Sequence, residues 1–270
     1  MVKRGTKPQR QISTTWSVNL AYAVGLITTD GYLSIDGRHI DFTSKDLQLA
    51  ELFKKCLGIG HIKTGYKVNV SSGARCPRVQ FGDVYFYRWL EKIGLTTKKS
   101  LTIRSVRVPP KFFPDFVRGC FDGDGTIYAF WDKRWNDSYM FYTAFASGSQ
   151  DFLLWLQKKL RSQLGINGHM SEGGRVFQLR YAKGESMILF RHMFYTKNLP
   201  CLKRKFDKAQ QIFAQQDEVF RRNKYARVVK PGKHARLRAL CPKGLGGSNP
   251  LPRTIHNLVG KFPRALARGE

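Results

Sequence analysis

Two stretches of this sequence, LAYAVGLITTDGYL (20–33) and PDFVRGCFDGDGTI (114–127), can be laid over one another. Each is an apolar run with a glycine in its middle, Gly25 or Gly119, and each closes on Asp-Gly ahead of strand-forming residues. Asp30 and Asp124 therefore hold the same place in two copies of one pattern. A helix C-terminus already carries negative partial charge from its unpaired carbonyls, so an acid there is disfavoured and something must offset the cost.

The flanking sequence repeats in the same order. YLSIDGRHIDFTS and TIYAFWDKRWNDSYMFYTAFAS both read as β-hairpins, around Asp36-Gly37 and Asn136-Asp137. Helical spacing follows, with Leu47, Leu49, Leu52 and Phe53 on one side of the first helix and Phe152, Leu153, Leu156, Leu160 and Leu164 on one side of the second. Both patterns stop at Leu-Gly-Ile, a glycine C-cap. Second hairpins come next, then a further helix and a lysine cluster, LTTKKS (95–100) in one half and LPCLKRKF (199–206) in the other. The order predicts an α+β chain built from two αββαββα repeats, over 16–110 and 111–222.

Glycine inside a helix costs about 1 kcal/mol against alanine. Two such glycines in register are explained if two backbones must approach closely, and Ala21, Ala23, Thr28 and Cys120 beside them are small enough to permit it. Packing the two helices side by side brings Asp30 and Asp124 to the same end. Two carboxylates there repel each other, and burial raises the pKa of at least one. A hard divalent cation such as Mg²⁺ relieves that conflict with oxygen ligands alone, and no histidine lies beside the motifs. Turn formation by Asp-Gly would explain either motif alone, but not both in matching repeats.

The partner follows from charge. Lys and Arg number 47 against 19 Asp and Glu, a net charge of +28, on a chain that is 42% hydrophobic and 13% aromatic. That composition is too apolar for a disordered polycation and points to a folded protein that binds nucleic acid. The five cysteines (Cys56, Cys76, Cys120, Cys201 and Cys241) are scattered, with no zinc-finger spacing, and read as buried free thiols of a reducing compartment. No apolar run reaches the length of a membrane span, and MVKRGTKPQRQ has no apolar core behind its basic start. The expected location is intracellular and soluble: the cytoplasm or nucleoid of a prokaryote, or an organelle interior.

AVGLITTDG (23–31) and VRGCFDGDG (117–125) resemble the two copies of the motif that names the LAGLIDADG homing endonucleases, and the resemblance extends over roughly residues 16–215. It implies a single-chain, pseudo-twofold, monomeric enzyme with paired motif helices at the interface and a β-sheet saddle on double-stranded DNA. The implied activity is Mg²⁺-dependent hydrolysis of both strands of a long target site, leaving short 3′ overhangs, with an intron as the usual genetic home. In that family the penultimate acid of each motif binds metal, here Asp30 and Asp124, and the preceding carbonyls, of Thr29 and Gly123, are further ligands. The first motif departs from the pattern with Thr28 where the second has Asp122, so Asp122 is read as a helix-end residue without a metal. The lysine clusters match a basic residue near each scissile phosphate; register favours Lys99 and Lys205, with Lys98 and Lys203 as rivals.

The hairpins are expected to carry the DNA contacts, one sheet face packing on helices and the other offering polar side chains. The candidates are Arg38, Lys67, Arg75, Arg78, Gln80, Lys133, Arg134, Arg175, Gln178 and Arg180. Arg and Gln suit bidentate contact with guanine and adenine edges. An RNA maturase acting on its host intron RNA is the alternative reading, although RNA binding alone needs neither acid. A DNA-binding regulator would more naturally have lost one of them. Residues 1–15 are read as a basic arm. Residues 223–270, rich in Arg, Lys, Gly and Pro, are read as a second, DNA-binding arm, as translated tRNA-gene sequence, since Gly247-Ser248-Asn249-Pro250 is what a common T-arm would encode, or as an element packed on the core.

Overall fold

The computed structural model describes residues 11–68, 73–97, 99–135, 138–174 and 176–228. The turn expected at Asn136-Asp137, the candidates Lys98 and Arg175, Cys241 and nearly all of the two expected basic arms lie outside them. The chain divides into two units, 1–221 and 222–270, so both repeats belong to one body. Of the second unit, the described residues are the end of the last helix.

The first repeat runs α1 (Val18–Asp30), β1 (Gly31–Leu33), β2 (His39–Thr43), α2 (Leu47–Leu57), β3 (Gly65–Val68), β4 (Arg75–Gly82), α3 (Val84–Ile93) and the single turn α4 (Lys99–Thr102). The second runs α5 (Phe113–Asp122), β5 (Gly125–Asp132), β6 (Ser138–Ser147), α6 (Gln150–Leu164), β7 (His169–Gly173), β8 (Val176–Ala182), α7 (Lys183–Met193) and α8 (Lys203–Val228). Two four-stranded antiparallel sheets result, with orders β1-β2-β4-β3 and β5-β6-β8-β7. Their identical topology is the repeat read from the sequence.

Local chemistry sets the element ends. Ser17, Asp83 and Ser149 cap α1, α3 and α6 by accepting from the N–H groups of Leu20, Phe86 and Phe152. Gly58 and Gly165, the glycines of the two Leu-Gly-Ile stops, adopt left-handed φ of 70° and 69°, which closes α2 and α6. α2 is amphipathic, burying Leu49, Ala50, Phe53 and Leu57, but Leu47, expected on the apolar side, is exposed at the first position. Among the four described cysteines only Cys120 is buried; Cys56, Cys76 and Cys201 are partly exposed, which corrects the reading of all as buried thiols.

α1 and α5 are different. Every residue of α1 from Leu20 to Thr28 is buried, as a helix apolar on all sides should be, and nearly all of α5 is buried too, its charged Asp115, Arg118 and Asp122 included. They pack on each other at the two glycines. A methyl group added at Gly25 would sit 2.8 Å from Gly119 Cα, and one added at Gly119 would sit 3.0 Å from Gly25 Cα. The close approach inferred from sequence is therefore mutual, and it aligns the ends of the two helices.

Candidate active site and nucleic-acid face

Where α1 and α5 end, the chain of α5 runs directly against the carboxyl of α1. A Cβ built on Gly123 would lie 3.1 Å from Asp30 Oδ2 and 2.8 Å from Thr29 Cβ, so only glycine fits between the two helix ends. Burial, followed by the charge of Asp124, pushes the Asp30 carboxyl up to about 7. Burial also raises Asp124. Nearby Lys99 and Lys205 oppose both shifts.

Those two lysines are nearly inaccessible, at 3% and 8% exposure. Lys99 Nζ donates to the carbonyls of Thr28 (2.9 Å) and Thr29 (2.8 Å), the last turn of α1. Lys205 Nζ shares its three N–H groups among four carbonyls, those of Phe121 (2.8 Å), Asp122 (2.8 Å), Gly123 (2.9 Å) and Gly125 (2.6 Å), at the end of α5 and the start of β5. A cation on orphan carbonyls is the favourable charge for a helix C-terminus. This supplies the offset that acids at two helix ends require. Burial pulls both ammonium groups down to about 8; Asp124 and Asp30 hold Lys99 up, and Asp122, followed by Asp30 and Asp124, holds Lys205 up. Lys203, the rival to Lys205, is exposed.

Asp122 is wholly buried and is itself a neighbouring charge of Lys205. Its Oδ2 accepts from Tyr22 Oη of α1 (2.7 Å) and from Leu202 N (2.7 Å), just ahead of α8. Burial lifts its carboxyl to about 6, and the two hydrogen bonds limit the rise. Beside it Arg118 and Asp115 form an ion pair at full burial, and Arg118 also donates to the carbonyls of Met193 and Pro200. This buried polar network ties the segment before α8 to the motif helices and so places Lys205. The only sequence signal was two charged residues three apart inside an apolar helix.

Strand register sorts the proposed DNA contacts. On β4, Pro77, Val79 and Phe81 alternate inward, leaving Arg78 and Gln80 on the open face with Lys67 of β3, which is opposite Cys76. Arg78 is held there by Asp41 of β2. Arg75 has the parity of the inward residues, so it does not share the open face with Arg78; it lies over the ring of Tyr66, 4.8 Å from its centroid. Arg38 is exposed next to the β1–β2 turn and bonded to its neighbours Asp36 and His39. In the second sheet Gln178 and Arg180 occupy the open face opposite Ser171 and His169. Lys133 and Arg134 are exposed beyond β5, Arg134 folded back on Asp132.

Among the described residues no three His, Cys, Asp or Glu side chains converge on a common point. The oxygen groups gathered at the helix ends are two carboxylates and main-chain carbonyls. No helix of the described residues is long and apolar enough to cross a membrane.

No family model and no curated protein matches the sequence. Solved structures do. The homing endonuclease I-WcaI bound to its DNA recognition sequence superposes with a TM-score of 0.51 at 13% identity, over 76% of this chain and 93% of that one. The LAGLIDADG meganuclease I-AabMI bound to uncleaved DNA gives 0.50 at 12%, over 74% and 91%. Full-length DUF199/WhiA from Thermatoga maritima gives 0.50 at 13%, over 84% of this chain and 66% of that one. With two antiparallel four-stranded sheets on paired motif helices, the chain has the two-repeat LAGLIDADG fold.

Proposed function

We propose that this protein is a site-specific endonuclease that hydrolyses both strands of double-stranded DNA at a long target and leaves short 3′ overhangs. A fold shared by WhiA and by homing endonucleases does not settle an activity. The observation that carries the reading is the gathering of two acids, Asp30 and Asp124, and two buried lysines, Lys99 and Lys205, at the abutting ends of α1 and α5, where each acid feels both ammonium groups. Charge of +28 and open sheet faces bearing Arg78, Gln80, Lys67, Gln178 and Arg180 fit a polyanionic duplex.

The donor set fits Mg²⁺, which binds through one or two carboxylates plus substrate phosphate oxygens rather than a full protein cage. Asp30 and Asp124 would hold it. The carbonyls of Thr29 and Gly123 each accept from a lysine and retain a second lone pair. Bound Mg²⁺ supplies water activation and neutralises charge on the leaving oxygen. The chain's own part is to hold two carboxylates together against their repulsion and to keep an ammonium beside each. Asp122 takes no part in metal binding and fixes the segment that carries Lys205.

Maturase activity on an intron RNA is the second reading, and the acid pair favours the nuclease, because an RNA chaperone has no use for two mutually repelling carboxylates. The deciding experiment is to select a bound duplex from a randomised library and incubate it with full-length protein with and without Mg²⁺. Metal-dependent cutting of both strands, lost in Asp30→Asn and in Asp124→Asn, is expected. A selected site that the native protein binds and leaves intact in Mg²⁺ rejects the proposal.

A further inference from the structure

The two sheets share a topology but not a surface. On the open face of the first, Asp41 of β2 lies between Tyr32 of β1 and Gln80 of β4, and Thr43 is opposite Arg78, so that face is polar with a single exposed ring among its described residues. On the open face of the second, Tyr128 is opposite Tyr142 and Phe130 opposite Met140, with Thr126 opposite Ala144. The inward parity is independently satisfied by Ile127, Phe141, Phe145, Leu179 and Tyr181, all buried, so these rings are not core residues displaced by a register slip.

The rings form one ledge. Tyr142 lies 5.6 Å from Tyr128 at 22° and 6.2 Å from Phe130 at 10°, centroid to centroid and nearly parallel. Phe130 remains 41% exposed. The ledge is bordered by Arg180, beside a cavity of about 410 Å³ lined by Tyr142, Gly168, His169, Arg180, Ala182 and Glu185. Gln178 shares the face two residues along β8. A surface that is apolar in its middle, with one cation, Arg180, and the amide of Gln178 at one edge, fits a partner with apolar groups flanked by hydrogen-bonding edges and anions. The major groove of a thymine-rich duplex has that pattern, with C5-methyl groups on its floor and phosphates at its rims.

We propose that the second repeat reads its half of the DNA target by apolar contact of Tyr128, Phe130 and Tyr142 with thymine methyl groups. The first repeat reads its half by hydrogen bonds from Arg78 and Gln80. This rests on the DNA-endonuclease reading above. The two half-sites are therefore chemically unlike, the second rich in thymine and the first mixed. A single-stranded nucleic acid could use the same rings as a stacking platform. The duplex is favoured because Gln178 and Arg180, suited to base-pair edges, lie on the same face.

The test uses full-length protein and a duplex selected from a randomised library. Gln80→Ala and Gln178→Ala assign the halves, since each relaxes sequence preference on its own side. Deoxyuridine is then substituted for thymine, half by half, which removes only the methyl group. The expected result with the native protein is a loss of affinity of about fourfold per contacted methyl in the second half, and less than twofold in the whole first half. In Tyr128→Ala the uracil penalty in the second half shrinks. Uracil tolerated in the second half, equal penalties in both halves, or a single-stranded RNA that outcompetes the selected duplex overturns the proposal. A library that yields no duplex site at all overturns the endonuclease reading first, and the proposal with it.

Discussion

The Nζ of Lys205 lies 2.8 Å from the main-chain oxygen of Asp122, while the side chain of Asp122 accepts the N–H of Leu202, three residues ahead of that lysine. Each residue thus holds the other's segment. The end of α5 receives its cation, and the start of α8 receives a carboxylate at the end where the helix dipole favours one. In the first repeat the position of Asp122 is Thr28, whose hydroxyl donates to Val24 O within its own helix, and Lys99 caps two carbonyls where Lys205 caps four. The two ends of the site share a plan but differ in how many carbonyls the lysine reaches.

Replacing Asp30 or Asp124 by Asn should abolish cutting of both strands and leave target affinity within about threefold, because neither acid contacts the open sheet faces. Asp122→Asn should slow cleavage much less, since an amide oxygen still accepts from Tyr22 or Leu202. Single-turnover cleavage alongside a binding titration separates the three. Either Asn variant at position 30 or 124 cutting at the native rate in Mg²⁺ removes that residue from the site.

Lys99→Met and Lys205→Met should both reduce cleavage far more than binding. They should differ in stability. Each buried carbonyl left without a donor costs about 1–3 kcal/mol when no water replaces it, and Lys205 serves twice as many. Chemical denaturation should find Lys205→Met the more destabilised variant. An equal loss in the two would mean that water takes over the vacated carbonyls.

Gly119→Ala and Gly25→Ala should each destabilise the fold by about 3 kcal/mol or more, beyond usual overpacking, because the added methyl meets backbone that cannot rotate away. Gly184→Ala in α7 is the control. Nothing lies within 4 Å of a Cβ there, so helix propensity alone should raise stability by up to about 1 kcal/mol. Melting temperatures of the three variants test the helix crossing directly.

If the open faces neutralise many phosphates, affinity should fall by roughly 10³-fold or more between 50 and 200 mM salt. Fluorescence anisotropy over that range measures the slope. A flat dependence would place the excess charge away from the DNA.

His192 of α7 is largely buried, its Nε2 lacks a hydrogen-bond partner, and burial holds its pKa below the usual 6.5. The sign follows from linkage. The unfolded chain takes up the proton first as pH falls, so the histidine's share of stability is present above about pH 6.5 and is lost below it. His192→Phe should therefore lose less melting temperature than the native protein between pH 7 and pH 5. A parallel decline in both would show that the ring titrates normally.

The paired glycine helices, the two acids and the doubled order of elements were legible in the sequence. Each is a local cost or a local period: a glycine that helix propensity disfavours, an acid at the wrong end of a dipole, a hydrophobic spacing of two or of three to four. Such marks survive without knowledge of what packs where. Between Lys203 and Lys205 the repeat register favours the second, but only contact with α5, some eighty positions away in the chain, shows why that one is buried. Arg75 was misplaced for a related reason. Its polarity suited the open face, but the register of β4 with β2 and β3 decides parity, and that register is settled by Val79 and Phe81 turning inward. Asp122, Arg118 and the Tyr128–Tyr142 ledge depend likewise on distant partners. Sequence shows which groups are expensive to place; only the tertiary structure determines which neighbours make them tolerable.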